Sequence, residues 1–88
     1  MSEPTRTQMR VLRGLAQDRA KCTLTYDAPT GTVWQEFGLG AIGERVRHST
    51  FQALVRNGWI TERGDWAAFN QAYWVISDAG LREAARDD

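Results

Sequence analysis

The sequence predicts an α+β fold built from three main helices and two pairs of strands. Apolar residues recur at helical spacing after residue 5 and again after residue 48, and a capped third helix is indicated near residue 77. Two strand-like stretches form a β-hairpin insertion over about residues 22–37, and two more form a pair over about residues 59–77. We therefore expect a flexible tail over residues 1–4 and a single domain over residues 5–86.

The first helix carries a clear start signal. Thr5 and Gln8 have the spacing of a capping box, in which each side chain satisfies a main-chain N–H group of the other residue. An apolar stripe follows, made of Met9, Leu12, Leu15 and Ala16. We expect this helix to end near Ala20.

The next segment predicts strands. Residues 22–26 (CTLTY) and 32–37 (TVWQEF) are rich in β-branched and aromatic residues, and the sequence DAPTG between them favours a turn. Trp34 on the second strand fits either a core or a surface position. Three glycines within residues 37–43 argue against a long helix, which leaves at most a short helical turn around residues 41–45.

The second helix ends at a clear stop signal, Asn57-Gly58, which suits a left-handed C-terminal cap. Phe51, Leu54 and Val55 form its predicted core stripe. The opposite face carries His48, Ser49, Gln52, Ala53 and Arg56. Either of the first two could also cap the start of the helix.

The third helix begins after the second strand pair. Ser77 is a natural N-cap, and Ile76 and Leu81 have the spacing of a hydrophobic staple. The predicted core of the domain consists of Leu12, Leu15, Leu24, Val33, Phe51, Leu54, Ile60, Val75, Ile76 and Leu81.

The composition of the 88-residue chain is that of a globular domain, with 42% apolar and 25% charged residues. No stretch is long enough to span a bilayer and the N-terminal segment lacks the features of a signal peptide, so we expect a cytoplasmic protein without membrane partners. The formal net charge is zero, yet basic residues concentrate in residues 5–21 and 45–63, and acidic residues concentrate after residue 64. A chain with zero net charge can therefore still present a basic face.

Nothing in the sequence predicts an enzyme, a metal site or a cofactor. His48 is the only histidine and Cys22 the only cysteine, so a catalytic pair would rest on one unsupported combination. The spacing of metal ligands is also missing. Gly38, Gly40 and Gly43 formally match a dinucleotide-binding pattern, but no βαβ unit surrounds them.

Two segments near the C-terminus carry a family resemblance. The first is Thr50-x-x-x-Leu54-x-x-x-Gly58-Trp59-Ile60, and the second is the sequence WVISDAGL at residues 74–81. Together they resemble the C-terminal half of small bacterial and phage winged helix proteins, in the style of MarR- and PadR-like regulators. The resemblance covers about residues 45–85 and implies a winged helix-turn-helix fold with a two-stranded wing over about residues 59–77. The β-hairpin stands where such proteins have the first helix of the helix-turn-helix.

The resemblance also implies a small transcriptional regulator that binds double-stranded DNA through the helix at residues 48–57. By position, Ser49, Gln52 and Arg56 would face the major groove, where glutamine bonds adenine and arginine bonds guanine. The residues expected at phosphates ahead of the helix are Arg45, Arg47 and His48, and Arg63 at the start of the wing could reach the flanking backbone or the minor groove. So short a module would act as a homodimer or with a protein partner.

An alternative from another class is a protein-interaction module on the same scaffold, such as a phage-type inhibitor or adaptor. Trp66 and Phe69 fall in the predicted wing tip, where they either fold back over the core or form an exposed apolar patch. An exposed patch, together with the acidic C-terminal part, would contact a protein. The zero net charge favours this alternative, whereas the basic segments favour DNA.

Overall fold

The described residues form three helices and one antiparallel sheet of five strands, which confirms the predicted α+β class. The structure is a computed structural model, and it describes residues 3–37, 43–64 and 70–86. Its elements in chain order are α1 (Arg6–Ala16), β1 (Cys22–Asp27), β2 (Thr32–Phe37), β3 (Glu44–Val46), α2 (His48–Arg56), β4 (Ile60–Glu62), β5 (Gln71–Ile76) and α3 (Asp78–Ala84).

The five strands lie in the order β3-β2-β1-β5-β4, so the two predicted strand pairs belong to one sheet. They join through β1 and β5, where Leu24 faces Trp74 and Thr25 faces Tyr73. The sequence predicted a hairpin insertion and a separate two-stranded wing. The hairpin is confirmed, but β4 and β5 are an integral half of the sheet, because β5 pairs on both of its sides.

The ends of the first helix follow from local hydrogen bonds. The capping box is confirmed: Thr5 Oγ1 accepts from the Gln8 N–H at 3.2 Å, and Gln8 Oε1 accepts from the Thr5 N–H at 3.0 Å. The helix ends at Ala16, earlier than predicted. Asp18 then turns the chain into β1, since its side chain accepts from the Ala20 N–H and its carbonyl accepts from the Cys22 N–H.

All three helices pack on the same face of the sheet. Alternation along β1 turns Cys22 and Leu24 toward the helices and Thr23 and Thr25 toward the other face. No described helix packs on that other face, which we call the open sheet face. Residues that face each other on neighbouring strands form a row on this face, which consists of Arg45, Trp34, Thr25 and Tyr73.

The core lies between the helices and the sheet. The predicted core residues are buried, except that Leu81 is partly buried against the core cluster. Val75 is buried but lies outside that cluster, because the strand register turns it toward the open sheet face. Val55 was predicted to be in the core stripe, and this was wrong: its side chain is exposed.

The two junctions around β4 and β5 are linked to each other. Gly58 has a φ of 72°, the left-handed conformation expected after the end of α2. Ser77 Oγ caps α3 by accepting from the Gly80 N–H at 3.1 Å, and it donates to the Gly58 carbonyl at 2.6 Å. One hydroxyl therefore ties the start of α3 to the end of α2.

The segment before α2 differs from its prediction. Glu44–Val46 is strand β3, and the described part of the expected helical turn around residues 41–45 is therefore extended. The N-cap of α2 is Arg47, whereas His48 and Ser49, the expected caps, lie inside the helix. In the part of the chain that the structure describes, no helix is long and apolar enough to cross a membrane.

Candidate nucleic-acid interface

Helix α2 presents a polar ridge to solvent. Its buried side consists of Thr50, Phe51, Ala53 and Leu54. The exposed residues, which we call the α2 ridge, are His48, Ser49, Gln52, Val55 and Arg56. At about 100° per residue they span an arc of about 120° with Gln52 at its centre. Ala53, expected on this face, is 7% exposed and belongs to the core, and Val55 takes its place.

The residues expected to contact DNA fall into two groups. The first group lies at the start of α2 or along its ridge and consists of Arg47, His48, Ser49, Gln52 and Arg56. Arg45 does not join them, because it faces Trp34 across the β3–β2 ladder and so shares the open sheet face. Arg63 continues β4, with its N–H donating to the Tyr73 carbonyl at 2.7 Å, and the same alternation assigns it to the open sheet face.

Some of the described arginines pair with a carboxylate, and others do not. Arg10, on α1, forms an ion pair with Glu44 at 3.5 Å, and Arg19, which follows α1, forms one with Asp78 at 3.1 Å. Within the described ranges, Arg47 and Arg56 have no carboxylate at ion-pair distance. Residues 45–56 contain three arginines and no acid. The helix therefore keeps its positive charge available to an external anion.

At the C-terminal end of the chain, the charge of Arg86 is compensated internally. Hydrogen bonds to the carboxylates of Glu83 and Glu3, both at 2.9 Å, raise the pKa of the Arg86 guanidinium above its usual value. Arg86 is therefore a cation at every accessible pH, but one already held by two acids of its own chain.

The start of α2 has open hydrogen-bonding capacity. Arg47 occupies the N-cap with extended φ and ψ of −64° and 140°, and its side chain makes no cap hydrogen bond. The first turn contains no acidic residue. The main-chain N–H groups of this turn and the positive end of the helix dipole are together suited to a phosphate oxygen.

An aromatic cluster lies beside the ridge. Tyr26 stacks on Phe51 with ring centroids 5.8 Å apart, and Trp74 meets Phe51 edge-on at 5.4 Å. His48 is tilted against Tyr26 and Phe51, at 6.1 Å and 6.2 Å. These rings position the histidine at the N-terminal end of the ridge, next to the turn expected to meet phosphate.

Two of the predicted interaction residues, Trp66 and Phe69, lie outside the described residues, as do Gly38 and Gly40 of the glycine pattern. Within the described ranges, no group of three or more histidine, cysteine or acidic side chains could hold a metal ion. Cys22 is buried. Among the described residues, the α2 ridge combines exposed polar side chains with positive charge.

At two surface positions the structure adds to the sequence prediction, because it decides between the two alternatives for Trp34 and corrects the one for Val55. Trp34 is 42% exposed and lies on the open sheet face. The structure explains this position, since Val33 and Gln35 on either side of it are both buried and the side chains of a strand alternate. Val55 on the ridge was missed because an apolar residue next to Leu54 is assigned to the core by pattern alone.

Comparisons of the chain with protein-family models, with curated proteins and with solved structures give no match. A functional assignment therefore rests on the geometry and the charges of the residues described above.

Proposed function

We propose that this chain binds double-stranded DNA, with α2 entering the major groove, as a small transcriptional regulator of the bacterial or phage type. The observation that carries the proposal is the combination on α2 of an exposed polar ridge, two arginines without internal carboxylate partners and no acidic residue. An α-helix of this kind fits the width of the major groove.

The order of elements supports a winged helix interpretation. Helix α2 is followed by the antiparallel pair β4–β5 and then by α3, and β5 pairs with the strand that follows α1. Strand β3 and the β1–β2 hairpin stand where a helix-turn-helix has its first helix. In this proposal α2 is held against the sheet by Phe51 and Leu54 rather than by a preceding helix.

Each ridge residue receives a role from its side-chain chemistry. Arg56 can donate two parallel hydrogen bonds to guanine, and Gln52, at the centre of the arc, can make the paired contact with adenine. Arg47 and the first-turn N–H groups of α2 would contact a phosphate, with His48 and Ser49 beside them. Arg45 and Arg63, expected at phosphates, are not given a contact beside α2 in this proposal, because the strand register turns both toward the open sheet face.

A single nine-residue helix offers few contacts, so we also propose that the chain binds as a homodimer on a two-fold symmetric site. Two copies would double the number of phosphates neutralised. Affinity at physiological salt would then reach the range of specific regulators.

Fluorescence anisotropy with labelled duplex DNA at stepped salt concentrations tests the proposal. We expect log affinity to fall linearly with log salt, and the slope should fall by about one per protomer in Arg47→Ala, which removes a phosphate contact. Arg56→Ala removes a base contact instead and should cost about 1–3 kcal/mol in affinity. Arg6→Ala is the matched control, because Arg6 is also exposed and without an ion pair in the described residues but lies on α1. Undetectable binding at low salt would refute the proposal.

A second candidate function is a protein-interaction module. The observation that favours it is the 42% exposure of Trp34 in a row with Arg45 and Tyr73 on the open sheet face. Trp66 and Phe69, the residues first expected to serve this function, remain a prediction. Absence of duplex binding combined with self-association that Trp34→Ser abolishes in sedimentation velocity would favour this candidate.

A further inference from the structure

A shallow apolar recess borders the α2 ridge on one side. Val55, Phe51, Tyr26 and Trp74 line it, and we call it the aromatic recess. Val55 and Phe51 are one helical turn apart and therefore neighbours on the helix surface. The Val55 side chain is 37% exposed, and the rings behind it are fixed by the stacked and edge-on contacts of Phe51.

The rim of the recess is polar and basic. His48, Gln52 and Arg56 also line it, and no acidic side chain of the described residues does. The apolar surface is thus continuous with the residues proposed to read bases. A polyanion can approach it without repulsion, whereas an apolar protein segment would gain nothing from an arginine and a histidine at the rim.

Major-groove chemistry offers one group that matches such a recess. Thymine presents a C5-methyl group there, whereas cytosine carries only a hydrogen at C5 and the purines present a polar edge with the N7 acceptor. A polar base edge placed against Val55 and the rings would lose its hydrogen bonds to water without replacement. A methyl group would gain apolar contact instead.

We infer that the aromatic recess reads the C5-methyl group of a pyrimidine, with Val55 as the contacting residue. The group belongs to thymine or to 5-methylcytosine, which present the same methyl in the major groove. It lies beside the base contacted by Gln52, because Val55 follows Gln52 by three residues along the ridge. The inference rests on the proposed DNA binding and adds an apolar specificity contact to it.

The test begins with selection of a preferred duplex from a randomised pool at low salt. Each thymine of that duplex is then replaced singly by deoxyuridine, and each cytosine singly by 5-methylcytosine, and anisotropy measures the affinity. We expect one deoxyuridine replacement to weaken binding about fourfold, the value for one buried methyl-sized group. A methylcytosine replacement that instead strengthens binding by a similar factor would identify methylated cytosine as the source.

Two variants test whether the aromatic recess causes the discrimination between thymine and deoxyuridine. Val55→Ser removes both methyl groups from an exposed position, so the variant should keep its circular dichroism spectrum and bind the thymine and deoxyuridine duplexes equally. Thr61→Ser also removes a methyl group from an exposed position, but on the open sheet face, so it is the matched control and should keep the fourfold discrimination.

The outcomes separate this inference from the function on which it rests. Duplex binding in which no pyrimidine methyl changes the affinity, or in which Val55→Ser retains full discrimination, overturns the inference and leaves DNA binding standing. Absence of binding to any duplex at low salt overturns both.

Discussion

The side-chain amide of Gln35, on the sheet, donates a hydrogen bond of 3.0 Å to the main-chain carbonyl of Val11, inside helix α1. Gln35 is 3% exposed and occupies an inward position of β2, between the apolar side chains of Val33 and Phe37. Gly14 lies directly above it, and a Cβ atom on that glycine would overlap Gln35 Nε2. The amide thus fills the space that the glycine leaves and fixes α1 on the sheet.

Replacing Gln35 with methionine removes this hydrogen bond but keeps the length of the side chain. We expect the free energy of unfolding to fall by about 1 kcal/mol, because one buried hydrogen bond is lost without creating a large cavity. Urea denaturation followed by circular dichroism measures the change. Gln17→Met is the control, since Gln17 is exposed; equal stabilities for the two variants would show that the Gln35 bond contributes nothing.

Gly14→Ala should destabilise the domain, although replacing glycine with alanine usually stabilises a helix interior. Alanine is intrinsically better than glycine there by about 1 kcal/mol. At this position the new methyl group would overlap the Gln35 amide and lie 3.0 Å from Phe37 Cε1. We expect a net loss of about 1–3 kcal/mol in the free energy of unfolding.

A double-mutant cycle identifies the cause of that loss. In a Gln35→Ala background the overlap with the amide is gone, so adding Gly14→Ala should cost clearly less than it does in the wild-type chain. Additive effects of the two substitutions would contradict the arrangement of Gly14 over Gln35.

Gly80→Ala tests a contact with main chain instead of a side chain. A Cβ atom on Gly80 would overlap the Trp59 carbonyl oxygen and crowd Ile76 Cγ1. The carbonyl cannot move without shifting the main chain that leads into β4, so we expect the free energy of unfolding to fall by about 3 kcal/mol. Gly64→Ala is the control, because nothing lies within 4 Å of its added Cβ. A loss of similar size in both variants would contradict a specific contact at Gly80.

The helices and the hairpin were predictable because their signals are local. The Thr5 capping box, the turn before Thr32 and the caps at Gly58 and Ser77 each depend on a few neighbouring residues. The pairing of β1 with β5 was not predictable, because it joins residues about fifty positions apart and depends on register rather than on composition. Strand β3 has only three residues and too short a pattern to recognise.

Part of the candidate site was also predictable, because helical spacing is a local signal. Helical spacing correctly grouped Ser49, Gln52 and Arg56 on one exposed face. It misassigned Ala53 and Val55, because the tilt of α2 on the sheet decides which edge of the apolar stripe is buried. Arg45 was misplaced because its orientation depends on the unforeseen β3–β2 pairing.

The two surfaces of the domain can be distinguished by adding one negative charge to each. Gln52→Glu puts a carboxylate at the centre of the α2 ridge with almost no change in shape, where it would face phosphates and the acceptor atoms of purines. If α2 enters the major groove, this variant should lose at least tenfold in duplex affinity at low salt, because a like charge at an interface costs more than about 1.4 kcal/mol. Thr61→Glu is the matched control, since Thr61 is exposed on β4 and turned toward the open sheet face. It should bind duplex DNA as the unmodified chain does; loss of affinity in Thr61→Glu with normal binding by Gln52→Glu would place the interface on the sheet instead of on α2.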